Sequence, residues 1–388
     1  MYIKREITPS LIKLSKQYPI ITITGPRQSG KTTLVKKTFP KKLYVSFEDL
    51  DQKQTFEQDP HGFLERFPNG AIFDEVQKVP DIFSYLQGIV DKTDIKGMYI
   101  LTGSQQFELI ENISQSLAGR TAIIKLLPLS IEEVYGDNAP SLESVIYKGF
   151  YPRIFKDKLD PTQALGFYVS SYIERDVRQL INIQNLSLFE VFLKICAGRT
   201  GQVLNYAAVA SECGIDVKTV KKWLSLLETS YIVRIIRPYY KNLNKRLSKS
   251  SKLYFLDVGL VCYLLGIRKL EQLQAHPLFG ALFETLVISE VLKKAYNSII
   301  DPSIYYYRDR YAHEVDLVFD HVTSINQIEI KSGKTINKDF FKNMKYLIDS
   351  GYPVKLSGLI YGGDDSYKSA GYHIASWKKI SKLIASFM

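Results

Sequence analysis

A glycine-rich stretch near the amino end carries the clearest chemical signal in the sequence. Residues 25–32 read GPRQSGKT, with an apolar, strand-like run before them and a helix-like run after them. This spacing is the pattern of a loop whose backbone N–H groups surround nucleotide phosphates. Lys31 is expected to reach the β- and γ-phosphates, and the Thr32 hydroxyl to bind Mg²⁺. The predicted nucleotide contacts are Gly25, Pro26, Arg27, Gln28, Ser29, Gly30, Lys31, Thr32 and Thr33.

A pair of carboxylates follows the apolar run at residues 70–75, which reads GAIFDE. Asp74 is predicted to bind the same Mg²⁺ as Thr32, and Glu75 is the candidate base that polarises water for ATP hydrolysis. The alternative for Glu75 is an ordinary surface glutamate after a strand. The expected cofactors of this half are therefore ATP and Mg²⁺.

Two further polar residues follow the next strand-like run, ILTGS. Ser104 at its end is predicted to orient the attacking water, although simple turn chemistry is the alternative. Arg120 follows a helix that Gly119 ends, and its guanidinium is predicted to stabilise transition-state charge on a neighbouring subunit's nucleotide in a homo-oligomer. The alternative for Arg120 is a helix-end arginine that interacts favourably with the helix dipole.

Five short β-rich runs between residues 20 and 126 alternate with amphipathic stretches. Together these elements would position the predicted nucleotide-site residues. Such alternation predicts an α/β domain with a P-loop NTPase parallel sheet and helices on both faces, over residues 1–135. Residues 136–200 are predicted to be a mostly helical lid or connector. Its charged segment YIERDV is expected to form solvated or interdomain salt bridges, and a role in sensing nucleotide is the alternative.

Five motifs in this order resemble a family of prokaryotic AAA-type ATPases: GPRQSGKTTL, IFDEVQKVP, ILTGSQQF, SLAGRTAIIKLLPLS and YIERDV. The resemblance implies ATP binding and a nucleotide-driven conformational change, but no substrate. It also implies a carboxyl-terminal half that is partly similar to restriction endonucleases. The chain departs from the family at residues 148–152, where KGFYP stands in place of the frequent Gly-Gly-Tyr-Pro.

A basic region follows the connector. Residues 201–270 are predicted to form a winged helix, in which Gly214, Ile215 and Asp216 make the turn between two helices and Asp216 caps the second. Residues 217–252 are the candidate DNA contact, because second helices of this shape enter the major groove while wing cations meet phosphates. A spacer or a protein-docking module is the alternative. Residues 217–252 contain one acid, Glu228, and ten basic residues: Lys218, Lys221, Lys222, Arg234, Arg237, Lys241, Lys245, Arg246, Lys249 and Lys252.

A second set of charged residues lies in the last segment, residues 271–388. Glu284 falls in an apolar helical stretch, Asp316 in a predicted β-hairpin, and Glu329 and Lys331 in the strand-like sequence IEIK. This arrangement resembles the PD-(D/E)XK phosphodiesterase core, a restriction-endonuclease-like α/β domain. The three carboxylates are predicted to bind a second Mg²⁺ or Mn²⁺, with Lys331 orienting or activating water. The alternative is a buried cluster of mutually paired charges.

The composition is that of an ordinary globular protein. The chain has 388 residues, 45% of them apolar and 23% charged, with a formal net charge of +11. It has neither a leader-like start nor an apolar run of about eighteen residues, so a cytoplasmic protein without membrane insertion is expected. The three cysteines lack metal-ligand spacing and are expected to be reduced, packed thiols.

The favoured hypothesis is an AAA-type ATPase that acts on DNA through the winged helix and the nuclease-like domain. The alternative is an ATP-dependent regulatory switch whose carboxyl-terminal half is a non-catalytic platform for protein interaction.

Overall fold

The computed structural model of the chain describes residues 2–93, 95–104, 116–173, 186–240 and 251–388. These residues form two compact units. The first contains Met1–Leu129, Thr229–Tyr231 and Tyr296–Ile300, and the second contains Ser130–Glu228, Ile232–Ala295 and Asp301–Met388. The four predicted domain ranges stay predictions. The charged residues of YIERDV and the cations of residues 241–250 lie outside the described part of the chain.

A five-stranded sheet organises the first unit. Its strands are β1 (Ile20–Thr24), β2 (Leu43–Ser46), β3 (Ala71–Asp74), β4 (Tyr99–Thr102) and β5 (Thr121–Lys125). The strand order is β2-β3-β4-β1-β5, and every neighbouring pair is parallel. The predicted parallel sheet is therefore confirmed.

Helices cover both faces of this sheet, and the side chains of its buried central strands β1, β3 and β4 alternate between two cores. Ile21, Ile72 and Ile100 face one core, whereas Phe73 and Leu101 face the other. The described helices of the unit are Thr8–Ser15, Lys31–Thr38, Leu50–Gln58, Pro60–Glu65 and Ile82–Thr93, with a 3₁₀ turn at Val76–Lys78.

The second unit begins with helices, as predicted for the connector. They are Ile131–Tyr135, Leu142–Lys148, Pro152–Lys156, Pro161–Tyr168, a π-helical turn at Val169–Ile173, Leu186–Gly198, Tyr206–Cys213 and Val217–Thr229. Strands β6 (Val233–Ile236) and β7 (Lys252–Phe255) follow and pair antiparallel. The next helices are Val258–Leu264, Leu270–Gln274 and Phe279–Asn297.

A six-stranded mixed sheet completes the second unit. Its strands are β8 (Ile304–Arg308), β9 (Glu314–Asp320), β10 (Ile325–Lys331), β11 (Val354–Tyr361), β12 (Tyr367–Ser369) and β13 (Tyr372–Ser376). Their order is β12-β13-β11-β10-β9-β8. The remaining elements are the helices Lys342–Asp349 and Ile380–Phe387 and the 3₁₀ turns Lys338–Phe341 and Trp377–Lys379. The predicted hairpin that carries Asp316 is the antiparallel pair β8 and β9.

Two expectations from composition concern features spread along the chain. Cys196, Cys213 and Cys262 are all free and buried, as expected for packed thiols. A search of the described residues finds no helix with the length and apolar character that a bilayer crossing requires.

Candidate functional site

The sheet order brings the predicted nucleotide residues to one edge. β4 lies between β1 and β3, and all three run in the same direction. The loop after β1, Asp74 at the end of β3 and Ser104 after β4 therefore meet at the carboxyl edge of the sheet. This is the edge where ligands bind in open parallel sheets. Because β4 pairs with β3, Ser104 lies beside the end of β3.

The loop after β1 needs its glycines for steric reasons. Gly25 has φ 146°, and a Cβ atom there would lie 2.1 Å from the Leu126 carbonyl oxygen. Gly30 has φ 93° at the start of the helix Lys31–Thr38. Between them, Gln28 adopts φ 58°, a left-handed conformation that is uncommon for a non-glycine residue. The loop therefore curls tightly against the segment that follows β5.

The Lys31 ammonium lies inside this curl. Only 6% of the residue is exposed, and its Nζ donates to the carbonyl oxygens of Gly25 and Pro26, both at 2.9 Å. Burial lowers the pKa of Lys31 to about 8, although the nearby charges of Glu75 and Asp74 favour the protonated form. A bound anion would thus meet a cation that the loop already holds in place.

Neutral hydroxyl groups surround the buried carboxylate of Asp74. The Thr32 hydroxyl donates to its Oδ2 at 2.8 Å and the Tyr44 hydroxyl donates to the same oxygen at 2.7 Å. Thr102 donates to the other oxygen. Burial, followed by the hydrogen bond to Asp74, raises the pKa of Tyr44 above its ordinary value. The oxygens of Thr32 and Asp74 are the type of ligand that Mg²⁺ prefers, so the two residues fit the predicted metal.

Glu75 lies beside Ser104. Its backbone is left-handed, with φ 55°, and the Ser104 hydroxyl donates to its Oε2 at 3.0 Å. The Gln77 amide also donates to Glu75 Oε2 and lies 3.5 Å from Ser104 Oγ. Gln77 was not assigned a role from the sequence. The 3₁₀ turn Val76–Lys78 brings its side chain back towards Glu75, and the sequence alone does not indicate this contact.

Two other residues at this edge were missed from the sequence. The Arg5 guanidinium donates to the Ser29 carbonyl within the loop, at 2.7 Å. The Tyr231 hydroxyl is 2.7 Å from Thr24 Oγ1, directly before Gly25. Both are buried, and both come from segments far away along the chain. No local sequence pattern signals such contacts.

Arg120 occupies the opposite edge of the sheet. It precedes β5, and its carbonyl accepts from the N–H of Ile20, the first residue of β1. Its guanidinium pairs with Asp91 through two bonds, Nε to Oδ1 at 2.5 Å and Nη2 to Oδ2 at 2.9 Å. A five-residue strand spans about 16 Å, so Arg120 does not reach the loop of its own chain. Its action on a neighbouring subunit stays a prediction.

The second predicted site forms around β9 and β10. Glu329 and Lys331 share one face of β10 as expected, with Lys331 Nζ 2.6 Å from Glu329 Oε1. The same ammonium is 3.3 Å from Asp316 Oδ2, an oxygen that also accepts from the Ile330 N–H at 2.8 Å. Lys331 thus bonds directly to two of the three predicted metal ligands.

Lys252 requires a correction. It was included among the cations available to DNA phosphates, yet only 2% of the residue is exposed. Its Nζ lies 3.0 Å from Glu284 Oε1 and 2.6 Å from Glu314 Oε1. The reason is that β7 is buried along its whole length, so Lys252 lies in the interior beside carboxylates that need a counter-charge. Lys252 is therefore an internal ion-pair residue, not a surface cation.

The ammonium groups of Lys252 and Lys331 both lie in contact with predicted metal ligands. Burial and then the charge of Asp316 raise the pKa of Glu284 to about 7 and that of Glu329 to about 8. Within the described residues, no group of three or more His, Cys, Asp or Glu side chains has an arrangement that would hold a metal ion. The carboxylates converge as predicted, and a second Mg²⁺ or Mn²⁺ among them stays a prediction.

The helix Val217–Thr229 presents three exposed cations of the basic region. Three residues separate it from the helix Tyr206–Cys213, and Asp216 caps it by accepting from the Thr219 N–H at 2.9 Å. Its buried side contains Val220, Trp223, Leu224 and Leu227. Lys218, Lys221 and Lys222 lie together on its exposed side, which we call the lysine face.

The parallel sheet and the glycine-rich loop give the first unit the fold of a P-loop NTPase domain. A family model described as an AAA domain matches residues 17–135. Two families described as domains of unknown function match the rest, DUF8612 over residues 139–271 and DUF4143 over residues 279–380.

The chain is also similar to individual proteins. An uncharacterized protein of Mycobacterium tuberculosis, Rv2008c, is 27% identical over 339 residues, which are 86% of this chain and 74% of that protein. An uncharacterized protein of Haemophilus influenzae is 22% identical over 316 residues, covering 72% and 75% of the two chains. Among solved structures, the Walker-type ATPase PABY2304 of Pyrococcus abyssi is 14% identical, with a TM-score of 0.45 over 68% of this chain and 96% of that one.

Proposed function

We propose that this protein hydrolyses ATP with Mg²⁺, with Glu75 as the general base. The observation that supports this most directly is the hydrogen bond from Ser104 to Glu75 at the carboxyl edge of the sheet, next to the loop that holds Lys31. A carboxylate and a hydroxyl in this position have the groups needed to accept a proton from water and to orient it. The ligands at the active centre are thus ATP and water.

Each residue has a separate task in this proposal. Lys31 exchanges the carbonyl oxygens of Gly25 and Pro26 for phosphate oxygens. Thr32 and Asp74 would hold Mg²⁺, which would supply positive charge to offset that of the phosphates. Ser104 and Gln77 keep the Glu75 carboxylate in place. Glu75 then accepts the proton of the water as the oxygen attacks the γ-phosphorus atom and ADP leaves.

The test is phosphate release from Mg-ATP by wild type and Glu75→Gln, alongside direct nucleotide binding. The substitution keeps the size and hydrogen-bonding capacity of the side chain but removes the base. We expect turnover to fall by about 10²- to 10⁴-fold while ATP binding is retained. Glu48→Gln, an exposed acid in the same unit, is the matched control. Equal turnover in wild type and Glu75→Gln would refute the assignment.

DNA is the second ligand that we propose, and the lysine face supports it. Lys218, Lys221 and Lys222 are exposed on the second helix of a helix-turn-helix arrangement, with an antiparallel pair of strands after it. Exposed lysines on such a helix can contact phosphates, and each neutralised phosphate contributes about −0.9 to the slope of log K against log salt. The protein would then hydrolyse ATP while it is bound to DNA.

Binding to nonspecific duplex DNA at several salt concentrations tests this step. With six phosphate contacts we expect a slope of about −5 and a loss of roughly a thousandfold between 50 and 200 mM salt. Replacing Lys218, Lys221 and Lys222 with Ala should make the slope shallower by about 2.7. The matched control replaces the exposed Lys13, Lys16 and Lys41 of the other unit. Absence of salt-dependent binding would favour the regulatory switch with a protein-interaction platform.

For the carboxyl-terminal cluster we propose a structural role in place of phosphodiester cleavage. Lys252 and Lys331 already neutralise the carboxylates that a metal would need. Addition of Mn²⁺ to the wild-type protein should therefore leave its melting temperature unchanged. Stabilisation by Mn²⁺ together with cleavage of DNA would restore the phosphodiesterase hypothesis.

A further inference from the structure

A buried arginine from the start of the chain holds the far side of the nucleotide loop. Arg5 is only 4% exposed and precedes the helix Thr8–Ser15. Its Nη1 donates to the Ser29 carbonyl at 2.7 Å. Its Nη2 donates to the carbonyls of Leu127 at 2.7 Å and Pro128 at 3.4 Å, in the segment after β5. One guanidinium therefore joins the loop to the end of the sheet's edge strand.

The bond to Ser29 fixes the orientation of a peptide group in the loop. In a trans peptide the C=O and the following N–H point in opposite directions. Because the Ser29 carbonyl points at Arg5, the Gly30 N–H points away from it. Backbone N–H groups that face the ligand are what make such a loop bind phosphate. Arg5 thus sets the direction of a donor that it does not touch.

The other end of the loop is held independently. Lys31 Nζ bonds to the carbonyls of Gly25 and Pro26, and the Leu126 N–H donates to the Thr24 carbonyl at 2.8 Å. Ser29 lies between these restraints and Gly30, whose φ of 93° is a conformation that glycine adopts readily and other residues rarely adopt. Arg5 supplies the restraint at the position where the loop turns into the helix.

We propose that Arg5 is a positioning residue for nucleotide binding, which holds the loop in its phosphate-binding conformation from behind. This inference rests on the proposed nucleotide site but adds a residue outside the glycine-rich motif. The planar guanidinium suits the task, because its fork reaches carbonyls on two separate segments at once. A lysine retains the charge but offers a single point of donation, so it should hold only one of the two segments.

Direct binding of ADP and ATP by calorimetry tests the proposal in Arg5→Lys and Arg5→Met, with kcat and KM for ATP measured in parallel. We expect Arg5→Met to weaken nucleotide binding by about tenfold or more, the loss of a hydrogen bond to a charged group. Arg5→Lys should give an intermediate value. In the kinetic measurements the weaker binding should appear as a higher KM for ATP. The kcat at saturating ATP should change less than about threefold, because Arg5 touches neither Glu75 nor Ser104.

The design separates positioning from simple destabilisation. Arg153→Met removes an exposed arginine of the other unit and should leave binding unchanged. If Arg5→Met fails to fold, Arg5→Lys decides alone. A folded Arg5→Lys with wild-type affinity for ADP, or a folded Arg5→Met with wild-type KM, would overturn the proposal. Binding is measured without turnover, so failure of wild type to hydrolyse ATP would contradict the catalytic proposal and leave this one testable.

Discussion

The chain contains two clusters made of the same residue types, lysine with aspartate and glutamate, but the charges are paired differently. In the first unit the Lys31 ammonium bonds to backbone carbonyls, and hydroxyl groups of neutral side chains hold Asp74. In the second unit Lys331 and Lys252 bond directly to carboxylates. The first cluster keeps its charges available, whereas the second neutralises them internally.

The difference indicates how to distinguish a binding site from a scaffold of similar composition. A cation held by neutral acceptors can exchange them for a phosphate without stranding another charge. A cation held by buried carboxylates leaves only at a cost, because the carboxylates must then either stay charged at low dielectric or take up protons. Hydrogen-bond partners, more than residue types, therefore decide what each cluster can do. Four experiments test this distinction.

The largest effect is expected when methionine replaces Lys31, the lysine of the first cluster. Lys31→Met should abolish ATP binding, because it removes the cation that meets the β- and γ-phosphates. It should not destabilise the nucleotide-free protein, since burial lowers the pKa of Lys31 and so disfavours its charged form. Calorimetry with ATP and thermal unfolding without it measure the two outcomes. A large fall in melting temperature would show that Lys31 is a structural ion-pair residue after all.

Lys252→Met should give the opposite result. It leaves Glu284 and Glu314 without their shared cation, which is expected to reduce the free energy of unfolding by about 3 to 5 kcal/mol. ATP binding should persist at low temperature. Adding Glu284→Gln to Lys252→Met should recover part of the stability, because it removes one stranded charge. Lys331→Met is the matched comparison and should cost less, since that side chain is one third exposed. Unaltered unfolding of Lys252→Met would refute the scaffold role.

A smaller effect is expected when the pH is raised. The pKa of Lys31 is about 8 in the nucleotide-free protein, and bound phosphates favour its protonated form. Binding must then take up a proton above pH 8, so the Kd for ATP should rise by up to about tenfold per pH unit between 8 and 9. Between pH 7 and 8 the change should be small. Calorimetry in buffers of different ionisation enthalpy measures the proton uptake, and a constant Kd from pH 7 to 9 would contradict this expectation.

The smallest effect should come from the surface pair of the first unit. The side chains of Arg120 and Asp91 are partly exposed and pair with each other, and the hydrogen bond from Arg120 lowers the pKa of Asp91. Arg120→Ala should leave the melting temperature unchanged, because such pairs add little. Turnover in dilute protein should also persist. A defect that appears only as protein concentration rises would instead support action on a neighbouring subunit's nucleotide.

Local patterns in the sequence were sufficient where one segment contains the whole feature. The loop at residues 25–32 lies after a strand and before a helix, as its spacing predicts. The shared face of Glu329 and Lys331 follows from strand periodicity, and the Asp216 cap from its position before an amphipathic helix. Each of these depends on interactions within a few residues.

Features formed by distant segments could not be predicted in this way. Lys252 looked like one more cation in a basic stretch, and only the packing of β7 near Glu284 and Glu314 reveals its true partners. The contact of Gln77 with Glu75 forms only because the chain turns after β3, and the contact of Tyr231 with Thr24 only because a distant segment packs at the end of β1. A count of charges in a window cannot separate exposed lysines from buried ones, because exposure is a property of the folded chain.

The position of Arg5 has a practical consequence for work on a fragment that contains only the region matched by the AAA family model. The matching AAA family region begins at residue 17, so a fragment expressed with that boundary would lack Arg5 and the helix Thr8–Ser15. Such a fragment would retain every residue of the glycine-rich motif and still lose the bond that orients Ser29. Weak nucleotide binding by that fragment would then reflect where the chain was cut, and would say little about the intact protein.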